Sequence, residues 1–213
     1  MQLNLGEWVV IIICSLLILG YILGYLYNRR RAEQIFKWLK PGLSTFGEVS
    51  LGEKLPGMVT GGRLEVNQAA APLKRIESVY LLAPRENILF WLFHMLQGRS
   101  DELIVWMTFQ SKPEQAVEVA RKGNRQLAKR LNDAEKPALV LQEGPRGLQV
   151  AVQERPGSTT IGKIQTFLER YPNSIVRFAL RPDKPHLFLR INLRIMQHVK
   201  AEALFTELKQ LVG

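Results

Sequence analysis

The chain has 213 residues, a formal net charge of +10 and one cysteine, Cys14, which excludes a disulfide framework or a thiolate metal site within it. All 29 Lys and Arg residues follow position 28, and the roughly 185 residues after that point suit one compact domain. A domain this basic indicates an anionic partner such as lipid headgroups, RNA or an acidic protein surface, unless the charge only faces water.

The first element is an apolar run over residues 8–27 that contains no charge and no proline. About 20 helical residues, each rising about 1.5 Å, cover the roughly 30 Å hydrocarbon core of a bilayer. The segment before the run has no Lys or Arg, and no small-x-small cleavage site follows it. The pattern therefore favours an uncleaved single-span membrane anchor over a secretory signal peptide.

The residues that flank this run predict its orientation. Positive charges beside a span stay on the cytoplasmic side, so we expect the N-terminus outside and the following domain in the cytoplasm. Gly20 and Gly24 have the spacing that lets another helix approach closely, although a lipid-facing helix is the alternative. The predicted membrane-interface residues are Trp8, Tyr25, Tyr27, Arg29, Arg30 and Arg31.

Two connecting segments follow the anchor. Residues 28–42 carry apolar residues at helical spacing together with basic ones, and they end at a Pro-Gly pair. This pattern predicts an amphipathic juxtamembrane helix on the membrane surface. Residues 43–56 are predicted to be a linker, and residues 57–213 a basic domain.

The first half of the domain alternates strand and helix patterns. Residues 58–67 and 73–83 predict a pair of strands. Residues 85–98 have the length and the terminal glycine of a short buried helix, which would make His94 a core residue. Residues 101–110 are apolar on both faces, which is typical of a central strand.

A longer helix is predicted over residues 113–132. Ser111 and Glu114 would form its capping box, with a proline in the first turn. On that helix Arg121, Arg125 and Lys129 would follow one another at a spacing of four and form a basic ridge. Acidic residues would relieve the charge only near its N-terminal end.

In the second half of the domain the pattern predicts a hairpin over 138–153, followed by a helix that ends at Pro172. It then predicts a second hairpin over 174–193, followed by a helix over 196–212. The whole pattern predicts an α+β fold, with one N-terminal transmembrane helix before a domain whose largely antiparallel sheet is backed by helices.

The basic residues of the second hairpin extend the candidate surface. If Phe178 faces Leu189, then Arg177 faces Arg190, and like charges directly opposite each other destabilise a sheet. If the sheet tolerates this pairing, the pairing indicates that an anionic partner binds there. The alternative is that the guanidinium groups point away from each other into water. The candidate partner-binding residues are Arg121, Lys122, Arg125, Lys129, Arg177, Arg181, Arg190 and Arg194.

The titratable residues give little sign of catalysis. The three histidines lack a metal-ligand spacing, and the three aspartates lie at predicted turns or helix ends. Phosphate-loop and dinucleotide patterns are missing. We expect no catalytic residue, no metal and no cofactor, with an enzyme of dispersed site as the alternative.

The sequence from about residue 60 to 210 resembles the cytosolic domain of the calumin family. The similar pieces are Gly62-Arg63, the stretch "HMLQGRSDELIVWMTF", the basic helix and the two late strands. The resemblance implies a subunit of the intramembrane-chaperone complex, which helps multipass proteins insert beside the translocon, and here a minimal prokaryotic relative. The family's acidic luminal region and C-terminal coiled coil have no counterpart in these residues, so calcium binding is not carried over, and the resemblance does not by itself imply direct ribosome docking.

The charge and the resemblance together favour one function. We expect a single-pass adaptor or chaperone for membrane-protein insertion, with a basic domain that docks a ribosome or translocon-associated partner. Its transmembrane helix would pack against an insertion or translocon component. The alternative is a membrane-anchored scaffold whose basic face binds anionic lipid.

Overall fold

The computed structural model describes residues 4–53, 60–113, 115–133, 139–153 and 159–211. The helices in that part of the chain are α1 (Leu5–Ser44), α2 (Ile88–Leu96), α3 (Arg125–Leu131), α4 (Thr159–Arg170) and α5 (Ala201–Gln210). The strands are β1 (Ser50–Leu51), β2 (Gly61–Val66), β3 (Leu73–Leu81), β4 (Glu102–Phe109), β5 (Val117–Arg121), β6 (Val140–Glu143), β7 (Leu148–Val152), β8 (Ile175–Leu180) and β9 (Leu187–Asn192). Short 3-10 turns lie at Pro145–Gly147 and Leu193–Gln197.

The strands form one sheet in the order β1-β2-β3-β4-β9-β8-β5-β7-β6, and every described pairing is antiparallel. This confirms the predicted α+β class, the strand pair β2–β3 and both hairpins, β6–β7 and β8–β9. The predicted central strand is β4, which lies between β3 and β9. Its odd-numbered residues, such as Val105 and Met107, are fully buried, and they mark the core face of the sheet.

Helices cover the core face. The C-terminal half of α1, together with α4 and α5, packs there in one apolar cluster with the strands. Ile35, Leu39 and Phe205 are fully buried in that cluster. Burial of one such side chain stabilises the fold by about 1.5–3 kcal/mol. The short helix α3 lies on the opposite, outer face, where Leu127 packs on Ala120 and Ala151.

Helix α1 differs from the predicted pair of helices. It is continuous from Leu5 to Ser44 and contains one segment long and apolar enough to span a membrane. Residues 28–42 do not form a separate helix on the membrane surface, because their apolar stripe packs into the domain core. The predicted linker 43–56 also differs, since it contributes the last residues of α1 and the strand β1, while its residues 54–56 lie outside the described part. Periodicity reveals an apolar stripe but not which apolar surface covers it.

The helix predicted over 113–132 is wrong in its first half. Val117 to Arg121 form β5, an interior strand between β8 and β7. Tertiary pairing outweighs the helical spacing of the alanines, because Val117 and Val119 fill the core face of the sheet. Only α3 remains helical, and Asn124 caps it by accepting hydrogen bonds from two backbone N–H groups. Glu114 of the predicted capping box lies outside the described residues.

The helix predicted over 85–98 is present as α2, but it is not buried. Most of its large apolar side chains are exposed, including Leu89 at 70% and Leu96 at 78%. His94 is not a core residue: it is half-buried and lies against the Phe90 ring, with ring centroids 4.5 Å apart. The physical reason is that α1, α4 and α5 already fill the core face of the sheet.

Replacement of Gly42 by alanine should destabilise the domain. Its Cβ would lie 2.8 Å from the Ala201 Cβ and 2.9 Å from the Phe205 ring, so α1 and α5 would have to separate. We expect a loss of about 1–3 kcal/mol in the free energy of unfolding, as for other overpacked sites. Gly162→Ala on α4 is the matched control, since no described atom lies within 4 Å of the added Cβ. Urea unfolding followed by circular dichroism measures both variants, and equal unfolding midpoints for the two would contradict the expectation.

Candidate functional site at the anchor side of the sheet

Asp101 connects α1 to the sheet. We call the end of the sheet beside Asn28, where β4 begins and β9 ends, its anchor side. The Asp101 carboxylate there accepts hydrogen bonds from the Arg85 guanidinium at 2.8 and 3.2 Å and from the Ala83 backbone N–H at 3.0 Å. Arg31 on α1 donates to the same carboxylate at 3.3 Å. Asn28 completes the group, because it donates to the Ala83 carbonyl at 3.0 Å and accepts from Arg85 at 2.9 Å.

These five residues form what we call the anchor clamp: Asn28, Arg31, Ala83, Arg85 and Asp101. Asp101 is only 6% exposed, and two guanidinium groups balance its charge. Removing one partner of a buried ion pair costs about 3–5 kcal/mol, because it leaves a buried charge without compensation. The clamp therefore holds one point of α1 against both β4 and the segment that leads into α2.

The two glycines of the apolar run contact the same segment. A Cβ on Gly24 would lie 2.0 Å from the Arg85 carbonyl oxygen, so only glycine permits this approach. A Cβ on Gly20 would lie 3.3 Å from the Ile88 side chain. The predicted close approach at these glycines is thus made within the chain, by residues 85–88.

The other predicted interface residues are Trp8, Tyr25 and Tyr27, which are exposed along α1, and Arg29 and Arg30, which are exposed just after the apolar run. Arg85 lies over the Tyr27 ring at 4.7 Å. Arg29 makes only a long, exposed ion pair with Glu33 at 3.9 Å. Arg31 differs from its neighbours, because its charge is used in the clamp.

Three of the predicted basic residues are paired with acids. The register of β8 and β9 confirms that Arg177 faces Arg190. However, Glu118 on β5 accepts hydrogen bonds from Arg177 at 3.1 Å and from Arg181 at 2.6 Å. Arg190 donates to Glu102 at 2.8 Å. The like charges are therefore tolerated because each is paired with a carboxylate on the flanking strand, Glu118 on β5 or Glu102 on β4, and these arginines do not form a free basic surface.

The remaining predicted residues fall into two groups. Arg121 ends β5 opposite the first residue of β7, and Arg194 follows the end of β9, so both lie at the anchor side of the sheet. Lys122 lies beside Arg121. Arg125 and Lys129 instead lie on α3, which packs on the outer face.

Arg146 joins the first group, although sequence reasoning did not select it. The backbone N–H of Lys122 donates to the Gly147 carbonyl at 3.2 Å, which brings the Pro145–Gly147 turn beside the end of β5. The turn itself was visible as Gly-Pro-Arg-Gly, but its neighbour across the sheet was not. We call this group the basic rim, which consists of Arg121, Lys122, Arg146 and Arg194. All four are exposed, and none forms an ion pair with an acid in the part of the chain that the structure describes.

Burial shifts the pKa of several titratable groups, one of which, Tyr171, lines a pocket together with Arg146 of the rim. Burial, together with the hydrogen bond to Glu207, raises the pKa of Tyr171 to about 12. Burial, aided by the positive charges of Lys184 and Lys112, lowers the pKa of His186. The His186 Nδ1 accepts a hydrogen bond from the Phe109 backbone N–H at 3.0 Å. No group of three His, Cys, Asp or Glu residues that could hold a metal occurs among the described residues.

No protein-family model matches the sequence, and no curated protein matches it. The clamp, the rim and α2 are therefore the features that bear on function.

Replacement of Glu118 by glutamine should lower the free energy of unfolding by about 3 kcal/mol, because Arg177 and Arg181 would lose their shared counter-charge. Glu169→Gln is the matched control, since Glu169 is exposed on α4 and a surface substitution changes stability by less than about 0.5 kcal/mol. Urea unfolding at neutral pH measures the difference. Equal stability of the two variants would show that the arginines do not depend on Glu118.

Proposed function

We propose that this protein is a single-pass membrane adaptor with its N-terminus outside, whose cytoplasmic domain docks on anionic lipid headgroups through the basic rim. The observation that carries this proposal is the position of the rim. Its four exposed charges lie at the anchor side of the sheet, beside Asn28, where the apolar run ends. They therefore lie on the same side of the domain as Arg29 and Arg30.

The size of the rim suits a membrane surface. Adjacent strands lie about 4.8 Å apart, so the rim extends roughly 14 Å sideways from the end of β9 to the start of β7. Each basic residue near an anionic leaflet contributes about 1 kcal/mol. The span already holds the chain in the membrane, so the rim sets the orientation of the domain. The outer face with α3 then remains open to the cytoplasm.

Substitution of all four rim residues by glutamine should abolish the lipid dependence of this docking. In nanodiscs that contain phosphatidylglycerol, we expect the backbone amides of 121–124 and 146–148 to exchange hydrogen more slowly than in phosphatidylcholine discs. In the rim variant these amides should exchange at equal rates in both lipids. High salt should also remove the difference between the lipids for the wild type, because salt screens exposed charges.

The matched control for the rim variant is Arg125→Gln with Lys129→Gln, which removes two exposed charges from the outer face only. This control should keep the slow exchange in anionic discs. Equal exchange of the wild-type rim in both lipids would overturn the proposed docking on headgroups.

A second candidate function is an insertion adaptor that docks an anionic macromolecule through α3. Arg125 and Lys129 are exposed there, and neither pairs with an acid among the described residues. The calumin resemblance supports the insertion role of this candidate, and the positive charge of α3 would suit the ribosome or a translocon component as the partner.

Charge reversal of Arg125 and Lys129 to glutamate separates the two candidates. If α3 docks an insertion partner, affinity purification from gently solubilised membranes should recover ribosomes or translocon components with the wild type. The reversal and high salt should remove them, while the rim variant should retain them. Recovery of neither partner with the wild type would count against the insertion adaptor.

A further inference from the structure

We propose that residues 84–98 form a shallow re-entrant element, in which α2 lies in the hydrocarbon of the cytoplasmic leaflet beside α1 and is covered by lipid acyl chains. This inference rests on the proposed placement of α1 as a membrane span. It does not depend on the basic rim or on α3.

The first observation is the exposed apolar surface of α2. The helix has nine residues and no Asp, Glu, Lys or Arg. Water around this surface would be costly, since burying one large apolar side chain is worth about 1.5–3 kcal/mol. Soluble proteins rarely expose a contiguous apolar patch of this kind without a partner. The exposed large side chains are Ile88, Leu89, Phe90, Leu92, Phe93, Met95 and Leu96.

The second observation is the depth of α2 along the span. Ile88, its first residue, contacts the position of Gly20, and the Arg85–Glu86 backbone contacts Gly24. Gly20 precedes Tyr27 by seven residues, so at 1.5 Å per residue Ile88 lies about 10 Å inside the apolar run. Interfacial helices reach about 5–10 Å into a leaflet. A span at 8–27 therefore places the start of α2 among acyl chains, and this continuity with the lipid-facing surface of α1 identifies lipid as the occupant.

The third observation is the local hydrogen bonding at the two ends of α2, which matters because hydrocarbon offers no water to satisfy a backbone polar group. Before the helix, Asn87 N–H donates to the Pro84 carbonyl at 3.1 Å, and its side chain accepts from Phe90 N–H at 3.0 Å. After the helix, Gly98 N–H donates to the Met95 carbonyl at 2.9 Å. Several local donors at both ends of α2 are thus engaged, although the described residues offer no hydrogen bond to the N–H groups of Ile88 and Leu89.

The charges of the segment lie towards its ends. Arg85 is held in the clamp, and Arg99 follows the helix and contacts His94 at 3.5 Å. Glu86 is the one acid between them, and its backbone lies at the level of Gly24, nearer the headgroups than Ile88. Long basic side chains at such positions can keep their charge at the interface. With α1 and α2 both in the leaflet, the domain has two points of insertion, and α1 cannot turn freely about its own axis in the membrane.

Spin labels on the full-length protein in proteoliposomes test this placement. In a Cys14→Ser background, nitroxides are placed one at a time at Leu89→Cys, Phe93→Cys, Leu19→Cys and Leu51→Cys. Leu19 reports the span, and Leu51, on β1, is an equally apolar and exposed position within the domain. Collision rates with oxygen, which concentrates in hydrocarbon, and with a water-soluble nickel complex are then compared.

We expect the oxygen-to-nickel ratio at Leu89 and Phe93 to match that at Leu19 and to be several-fold above that at Leu51. If Leu89 and Phe93 resemble Leu51 while Leu19 stays in hydrocarbon, the re-entrant placement is overturned and the proposed function stands. If Leu19 is also reached by nickel, the span and the proposed function fail together. Low collision rates with both reagents at Leu89 and Phe93 would mean that protein covers α2, which also overturns the lipid assignment.

Discussion

The anchor clamp is the interaction on which the rest of the structure depends. Asp101 receives hydrogen bonds from α1 through Arg31 and from the segment before α2 through Arg85. Because one buried carboxylate serves both partners, α1, the start of β4 and the start of α2 hold fixed positions relative to one another. The level of the sheet along α1, and hence the position of the basic rim beside the end of the apolar run, follows from this one charge.

Some charged residues of the sheet form ion pairs with one another, and others are exposed without such a pair among the described residues. Glu118 and Glu102 lie among the arginines of the outer face and neutralise the pairing of Arg177 with Arg190. These arginines stabilise the packing of neighbouring strands. Among the predicted partner-binding residues, those without such partners in the described part of the chain lie at the anchor side and on α3, so they form two separate basic groups.

Small residues on α1 decide how the apolar parts of the chain meet. Gly24 allows the Arg85 carbonyl to approach the helix, and Gly20 lies against Ile88. A larger side chain at Gly24 would push α2 away from α1 and would pull on the clamp, since Arg85 belongs to both contacts. The apolar packing along α1 and the buried charge of Asp101 therefore both hold α2 beside α1.

The sequence by itself determined the long apolar helix, the α+β class, the hairpins and the register of Arg177 with Arg190. Each of these depends on local periodicity or on a short connection between neighbours. Only the tertiary structure decided that residues 28–42 pack into the core, that 117–121 form a strand and that α2 is exposed. The sequence also did not predict the clamp or the pairing of Arg177 with Glu118. In the clamp, Arg31 and Asp101 are 70 positions apart, and Arg177 and Glu118 are 59 positions apart. Local patterns specify an apolar stripe or a charge, whereas the choice of its partner depends on which distant elements the sheet brings together.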